Sequence, residues 1–270
     1  MDNTVSQFAG IYRERPPDAA LREHVRCVWV NDLSESQIEW VRVVPDGCAD
    51  IMWTGTSLIV AGPDTNCILD RLPRGAVVVG VRFHPGTASA WFGLPLSEIV
   101  NSRVPLAELW RSDASCLFDK VTGNCSAQEI AVALEAFLLS RLAEVGLADR
   151  QIAFLRRAAG DNCHPAGIRL DRLAAHMGMS ERTLRRRCEH AFGYGFKTLD
   201  RILRLQRFIK LSAHSSSCSL AEIAARSGYA DQAHMTREVR RMTGITAGEF
   251  VAHAQGGLAD SFKTAVVGHL

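Results

Sequence analysis

Two sets of side chains near the C-terminal end have the types and spacing to do chemistry on a polyanion. Arg182, Arg185 and Arg186 follow an i, i+3, i+4 pattern that projects them from one face of a helix. Gln232, His234 and Arg237 form a second set about fifty residues on. A guanidinium pairs with the O6 and N7 edge of guanine, and a carboxamide with N6 and N7 of adenine, so both sets can read base edges in a major groove. Ser180, Arg187, Arg201, Arg204 and Arg240 are the candidates for holding phosphates, contacts that position without specifying sequence. No nucleophile elbow, phosphate loop, zinc-protease helix or paired metal motif is present, so no catalytic residue, cofactor or metal is expected.

These side chains need rigid supports, and an internal repeat supplies them. Leu170, Leu173, Ala174, Ala175 and Gly178 recur as Leu220, Ile223, Ala224, Ala225 and Gly228 at an offset of 50. One extra residue in the second turn then aligns Leu184 with Met235, Arg186 with Arg237 and Cys188 with Val239. The pattern predicts two helix-turn-helix units. Alanines allow close approach of two helices, and glycine ends the first in the left-handed conformation. Ser180 and Asp231 are good caps for the second helix, which buries Leu184 and Cys188, or Met235 and Val239. Residues 196–213, with Leu199, Ile202, Leu203, Leu205 and Ile209 apolar, predict a connecting helix about 27 Å long. Successive major grooves on one face of DNA lie about 34 Å apart, so such a rod can serve two adjacent grooves. Arg201, Arg204, Arg207 and Lys210 along it either steer toward phosphates or solubilise the rod.

Charge follows the same division. Residues 165–255 hold 15 Lys and Arg against 8 Asp and Glu, a net of +7, whereas the remainder holds 16 against 21, a net of −5. A basic module attached to a mildly acidic domain fits a polyanion partner. The eight cysteines include no Cys-x-x-Cys pair, which argues against structural zinc. Residues 1–9 carry no basic-then-apolar leader, and no apolar run reaches membrane-spanning length, so a cytoplasmic protein with reduced thiols and no membrane association is expected.

The expected fold class is α+β: a small β-rich, sandwich- or barrel-like domain with helices, followed by an all-α domain of two helix-turn-helix units joined by a long helix. Residues 1–148 are assigned to effector sensing or dimerisation, 149–257 to DNA binding, and 258–270 to a flexible tail. Runs at 25–30, 39–44, 50–53, 58–61 and 76–83 are rich in Val, Ile and Trp and separated by Pro, Gly, Asn and Asp, as strands are. Short helices are expected at 87–91, 95–100 and 105–110, and longer ones at 126–142 and 151–159. Breakers at 160–162 and 165–167 mark the junction.

From Leu170 to Phe250 the chain resembles the AraC/XylS family of transcription regulators. The second copy carries the more specific match: Ile223 to Tyr229, Arg237, Gly244-Ile245-Thr246 and Phe250. Ser180, Leu184 and Phe192-Gly193 match in the first. The family usually has aromatics where Met235 and Val239 stand, and proline where Ala247 stands. The N-terminal part is similar to a small effector domain found on a subset of these regulators, through Val44 to Ile51, Ala61-Gly62-Pro63, Gly80 to Gly86 and Val104 to Trp110. Position 111 carries arginine where such sequences often have glycine. The resemblance implies a sequence-specific regulator that binds double-stranded promoter DNA, with a small-molecule effector, a second copy of the chain and RNA polymerase as further partners. The alternative is an N-terminal domain that serves only dimerisation or a protein partner.

Candidate effector residues are Asp46, Cys48, Trp53, Arg82 and His84. Arg82 and His84 end a strand and enter a helix, where a cation and backbone amides can meet an anion; the competing reading has Arg82 satisfied within the fold. Asp46 and Cys48 beside Trp53 form either a pocket wall with a thiol or a tight turn before a core strand. Trp29, Trp40 and Trp53 are pocket lining or core.

Overall fold

The computed structural model describes residues 11–32, 40–71, 75, 77–123, 125–161, 168–214 and 218–253. The start at 1–9, the breakers at 162 and 165–167 and the expected tail at 258–270 lie outside them.

The N-terminal domain is β-rich, as expected. Its strands are β1 (Ile11–Arg15), β2 (Val25–Asp32), β3 (Trp40–Val43), β4 (Asp50–Trp53), β5 (Leu58–Ala61), β6 (Ile68–Arg71), β7 (Val77–Phe83) and β8 (Arg103–Pro105). Six form an antiparallel sheet in the order β1-β2-β7-β4-β5-β8, and β3 pairs with β6 as a separate ribbon. The central strands obey the period-2 rule. Ile51, Trp53, Val79, Val81 and Phe83 face one core, while Met52 and Val78 face a second, smaller cluster around Trp29. β1 and β8 were not legible in the sequence because they are sheet edges, where Arg13, Glu14, Arg15 and Pro105 cost little.

The larger core is closed by α1 (Ala88–Phe92), α2 (Leu106–Val121) and α3 (Ala127–Val145). α3 starts at Ser126, whose hydroxyl accepts from the Glu129 amide while the Glu129 carboxylate accepts from the Ser126 amide, a reciprocal cap. The helix expected at 95–100 is a 3-10 turn, Leu96–Glu98, and that expected at 105–110 continues to Val121.

α4 (Arg150–Asp161), α5 (Leu170–His176), α6 (Glu181–Phe192), α7 (Phe196–His214), α8 (Leu220–Ser227), α9 (Gln232–Thr243) and α10 (Ala247–His253) form the C-terminal domain. Their core gathers Leu155, Leu184, Phe192, Leu199, Phe208, Met235 and Phe250 around α7, and it takes in Val44 from the N-terminal domain. The two domains meet without a gap at Gly86, with φ +88: an added Cβ there would lie 2.4 Å from Ile152 Cγ2 and 2.5 Å from the Phe192 ring. Only glycine permits that approach.

α2 is interrupted at Arg111, which has φ 39 and ψ −112. This backbone region belongs to glycine, which explains why related sequences often have glycine there. The Arg111 side chain is exposed, so replacement forfeits no packing. Arg111→Gly is expected to raise stability by roughly 1 kcal/mol through relief of backbone strain, read as a higher midpoint in thermal or urea unfolding.

Candidate nucleic-acid interface

The two reading units are built by the same hydrogen bonds at the predicted offset. Where α5 ends, Gly178 N–H donates to Ala175 O and Met179 N–H to Ala174 O; where α8 ends, Gly228 N–H donates to Ala225 O and Tyr229 N–H to Ala224 O. Gly178 and Gly228 have φ of +65 and +85, as this motif requires. The next helix is capped in both copies, by Ser180 Oγ accepting from Thr183 N–H at 3.2 Å and Asp231 Oδ1 accepting from His234 N–H at 2.6 Å. Leu184 and Cys188, and Met235 and Val239, are fully buried. The methionine and valine fill the places of the family's aromatics without leaving the core.

Burial of those faces turns the others outward. Arg182, Arg185, Arg186, Gln232 and Arg237 are exposed, and among the described residues the four arginines have no ion-pair partner. His234 is half-buried, edge-on to the Tyr229 ring at 5.5 Å, and its Nδ1 accepts from Ala230 N–H at 3.4 Å. That bond places the proton on Nε2, which lies 3.9 Å from Glu238 Oε2.

The expected phosphate contacts divide. Arg240 is exposed. Ser180 is exposed, with its hydroxyl occupied as the α6 cap. Arg204 is corrected: it is 6% exposed, bonded to Asp200 at 2.6 Å, and its guanidinium lies 5.6 Å from the Tyr229 ring centre. It is a core ion pair on the inner face of α7. Arg201 is likewise held, 2.9 Å from Glu238 of α9, and Arg187 by Asp149 at 2.5 Å. Arg207 neither steers nor solubilises. It donates to Ala159 O, Gly160 O and Ser227 O, joining the ends of α4 and α8 to α7.

The N-terminal candidates do not form one effector pocket. Arg82 is 3% exposed and bidentate to Asp50 at 3.0 Å, with Asp46 at 3.5 Å and Glu14 at 3.6 Å, so its charge is neutralised within the fold. Asp46, Cys48 and Arg82 line a cavity of about 30 Å³, room for about a single water. Burial pushes the Cys48 thiol well above its ordinary pKa, the reverse of what a reactive thiolate needs. Trp53 lies on the other face of β4, in the large core against Phe118 at 5.6 Å, because Asp50 and Trp53 are three residues apart on a pleated strand. His84 sits apart from them. Burial first, then Arg156 and Arg26, lower its pKa to about 4.

A larger cleft, about 400 Å³, lies between the domains. Its walls come from His24 and residues 86–90 of the N-terminal domain, the linker and first turn of α4 at 147–152, and Arg186, Arg187, His190 and Ala191 of α6. The sequence reading missed this cleft, and it missed Arg42 and Cys67. Arg42 Nη1 donates to Thr243 O at 2.8 Å and Cys67 N–H to Met242 O at 2.7 Å, so the β3–β6 region grips the C-terminal end of α9. A cation there complements the helix dipole. No local sequence pattern announces contacts between residues about 200 positions apart.

Residues 173–253 match the family described as a helix-turn-helix domain, and residues 13–105 match a domain of unknown function, DUF6597. With its two capped helix-turn-helix units, the chain is a DNA-binding transcription regulator. Its helix-turn-helix region is of the AraC/XylS type. Solved structures to which the chain is similar include the C-terminal domain of AraT, a response regulator from Geobacillus stearothermophilus, at 19% identity over 38% of this chain and 85% of that one, TM-score 0.36. A DNA-binding transcriptional dual regulator from Escherichia coli shows 20% identity over 38% and 93%, TM-score 0.34. Unsaturated fatty acid-bound ToxT from Vibrio cholerae shows 13% identity over 90% and 98%, TM-score 0.46. No curated protein matches the sequence. Among the described residues, no helix is long and apolar enough to cross a membrane.

Arg204→Ala is expected to cost roughly 3 kcal/mol by removing the guanidinium from the buried Asp200 carboxylate. The slope of log K against log salt for DNA should stay unchanged, because no phosphate contact is lost; a slope reduced by about one would return Arg204 to the phosphate set. A second expectation concerns acid. Between pH 6.5 and about 4 the unfolded chain protonates at position 84 while the folded chain does not, so stability falls as pH drops through that window. Urea midpoints across the window should fall less steeply for His84→Gln than for the parent.

Proposed function

We propose that the chain recognises an asymmetric DNA site by placing α6 and α9 in two successive major grooves, under the control of a small molecule received between its domains. The observation that carries this reading is the pair of recognition helices packed around α7, presenting exposed Arg182, Arg185, Arg186 and Arg237 that have no ion-pair partner among the described residues. α7 has 19 residues, hence about 28 Å of rise, of the order of the roughly 34 Å between successive grooves. Arg182, Arg185 and Arg186 are assigned to bases in the first groove, and Gln232, His234 and Arg237 to bases in the second. Arg240 and the capped start of α6 at Ser180 serve phosphates. Arg201 and Arg187 act within the fold, through Glu238 and Asp149.

Regulation enters through the cleft. Its volume lies in the range of small-molecule sites, and its walls combine N-terminal domain, linker and recognition helix. An occupant there touches all three parts, so it has differential contacts with any state in which α6 moves relative to the N-terminal domain.

The test is selection of duplexes from a random library by the full chain, followed by titration at two salt concentrations. One enriched site about two helical turns long supports the reading; weak, sequence-blind and salt-sensitive binding alone overturns it. On the enriched site, Arg237→Ala should relax preference at one position of the second half by about 1–3 kcal/mol, whereas Arg240→Ala should weaken all sequences alike. Equal losses on selected and random DNA for Arg237→Ala remove it from the base readers.

A further inference from the structure

The two recognition helices end differently. The last carbonyls of a helix have no partner within it. On α9 two of them are satisfied from the N-terminal domain: Met242 O accepts from Cys67 N–H at 2.7 Å, and Thr243 O from Arg42 Nη1 at 2.8 Å. The same nitrogen lies 3.2 Å from the position a Cβ on Gly244 would take, so the guanidinium sits against the turn that closes the helix. Both helices have a glycine turn, Gly193 N–H donating to Glu189 O and Gly244 N–H to Arg240 O. Among the described residues, however, no donor of the N-terminal domain reaches a carbonyl in the last turn of α6. The donors on α9 are themselves held in place. Arg42 stands on β3 opposite Leu69 of β6, and the next residue, Asp70, is bonded to Arg103 of β8 at 3.1 Å, which ties the ribbon to the six-stranded sheet. Val44, just past β3, is buried in the C-terminal core.

We infer that the β3–β6 ribbon is part of the second reading unit, with Arg42 as a positioning residue for Gln232, His234 and Arg237. This deepens the reading of α9 as a base-reading helix and rests on it. α9 has 12 residues, hence about 18 Å of rise. A tilt of about 5° about its gripped end moves its first turn by about 1.5 Å, whereas a binding constellation must be held to within about 0.5 Å. A guanidinium at the negative end of the helix dipole makes the grip a charge-assisted one. The DNA half read by α9 therefore depends on the N-terminal domain for its fidelity. The half read by α6 does not depend on Arg42, which bonds to nothing in that helix.

The experiment uses the full chain, its selected duplex, and two altered duplexes in which one half or the other carries substituted bases. Arg186→Ala and Arg237→Ala identify the half that each helix reads. Selectivity at each half is the ratio of Kd for altered and selected DNA, measured by fluorescence anisotropy. Arg42→Ala is expected to lower selectivity at the α9 half by about tenfold, the order of one charge-assisted hydrogen bond. At the α6 half it should change by less than about twofold, as for independent sites. Arg42→Gln, which keeps the stem without the charge, should lower the α9 ratio in the same direction. Arg42→Lys, which keeps a cation able to donate to Thr243 O, should recover most of the loss. Arg15→Ala removes an ion pair with Glu135 elsewhere in the same domain and should leave both ratios at the parent values. An equal fall at both halves, or no fall, in the two neutral variants overturns the inference. So does an Arg42→Lys chain no more selective than Arg42→Ala. A parent chain indifferent to substitutions in one half overturns instead the assignment of α9 as a reader, so the two failures are told apart.

Discussion

The separation of the two recognition helices depends on how α7 is packed. Leu199, Ile202, Leu205, Phe208 and Ile209 are all buried along it, and burial of each such side chain is worth about 1.5–3 kcal/mol. α4, α6, α8 and α10 pack against the same rod. A helix held on so many sides does not rotate independently of its neighbours, so α6 and α9 form one rigid gauge. The internal arginines serve that end. Arg207 bonds to the carbonyls ending α4 and α8, and Arg201 ties the rod to α9 through Glu238. The seam with the N-terminal domain adds a bond near the middle, from Gln206 Nε2 to Pro45 O at 2.7 Å.

That arrangement sorts the basic residues into two populations with different physics. Arg201, Arg204 and Arg207 sit on α7, whose buried faces force them to find carboxylates, carbonyls or an aromatic ring. Arg182, Arg185, Arg186 and Arg237 stand on helices that are buried along one stripe only, so their charges stay in water. Of the excess of +7 in this region, α6 and α9 each carry a net of +2, on faces turned to water. Desolvation cost decides which arginine belongs to which set.

The N-terminal domain holds both reading units. Phe192 and Ile152 close on Gly86, while an added Cβ on Gly193 would meet Val100 and Pro63. The Arg42 guanidinium and the Cys67 amide hold the last turn of α9. The N-terminal domain thus packs on the C-terminal end of each of these helices, while their capped N-terminal ends at Ser180 and Asp231 are exposed. Arg82, which the local pattern offered as an anion site, instead anchors the middle of the sheet through Asp50, a partner 32 residues earlier.

Much of the C-terminal domain was legible because its determinants are local. Helix periodicity, the Ala-Ala-x-x-Gly turns and the caps at Ser180 and Asp231 act within a few residues, so the repeat at offsets of 50 and 51 specified the same bonds twice. The central strands were legible by their Val and Ile content, but the edge strands were not, because an edge tolerates charge and proline. What required the tertiary structure was every question of who partners whom. Sequence order cannot show that Arg204 is spent on Asp200 while Arg186 has no ion-pair partner among the described residues, nor that Trp53 and Asp50 lie on opposite faces of β4. It cannot place Arg42 on the end of α9, or bring the linker and α6 together around a cleft. The physical reason is range: hydrogen-bonded turns and helix faces are set by neighbours in the chain, whereas the partner of a charge is whatever the packing of distant segments brings within about 4 Å.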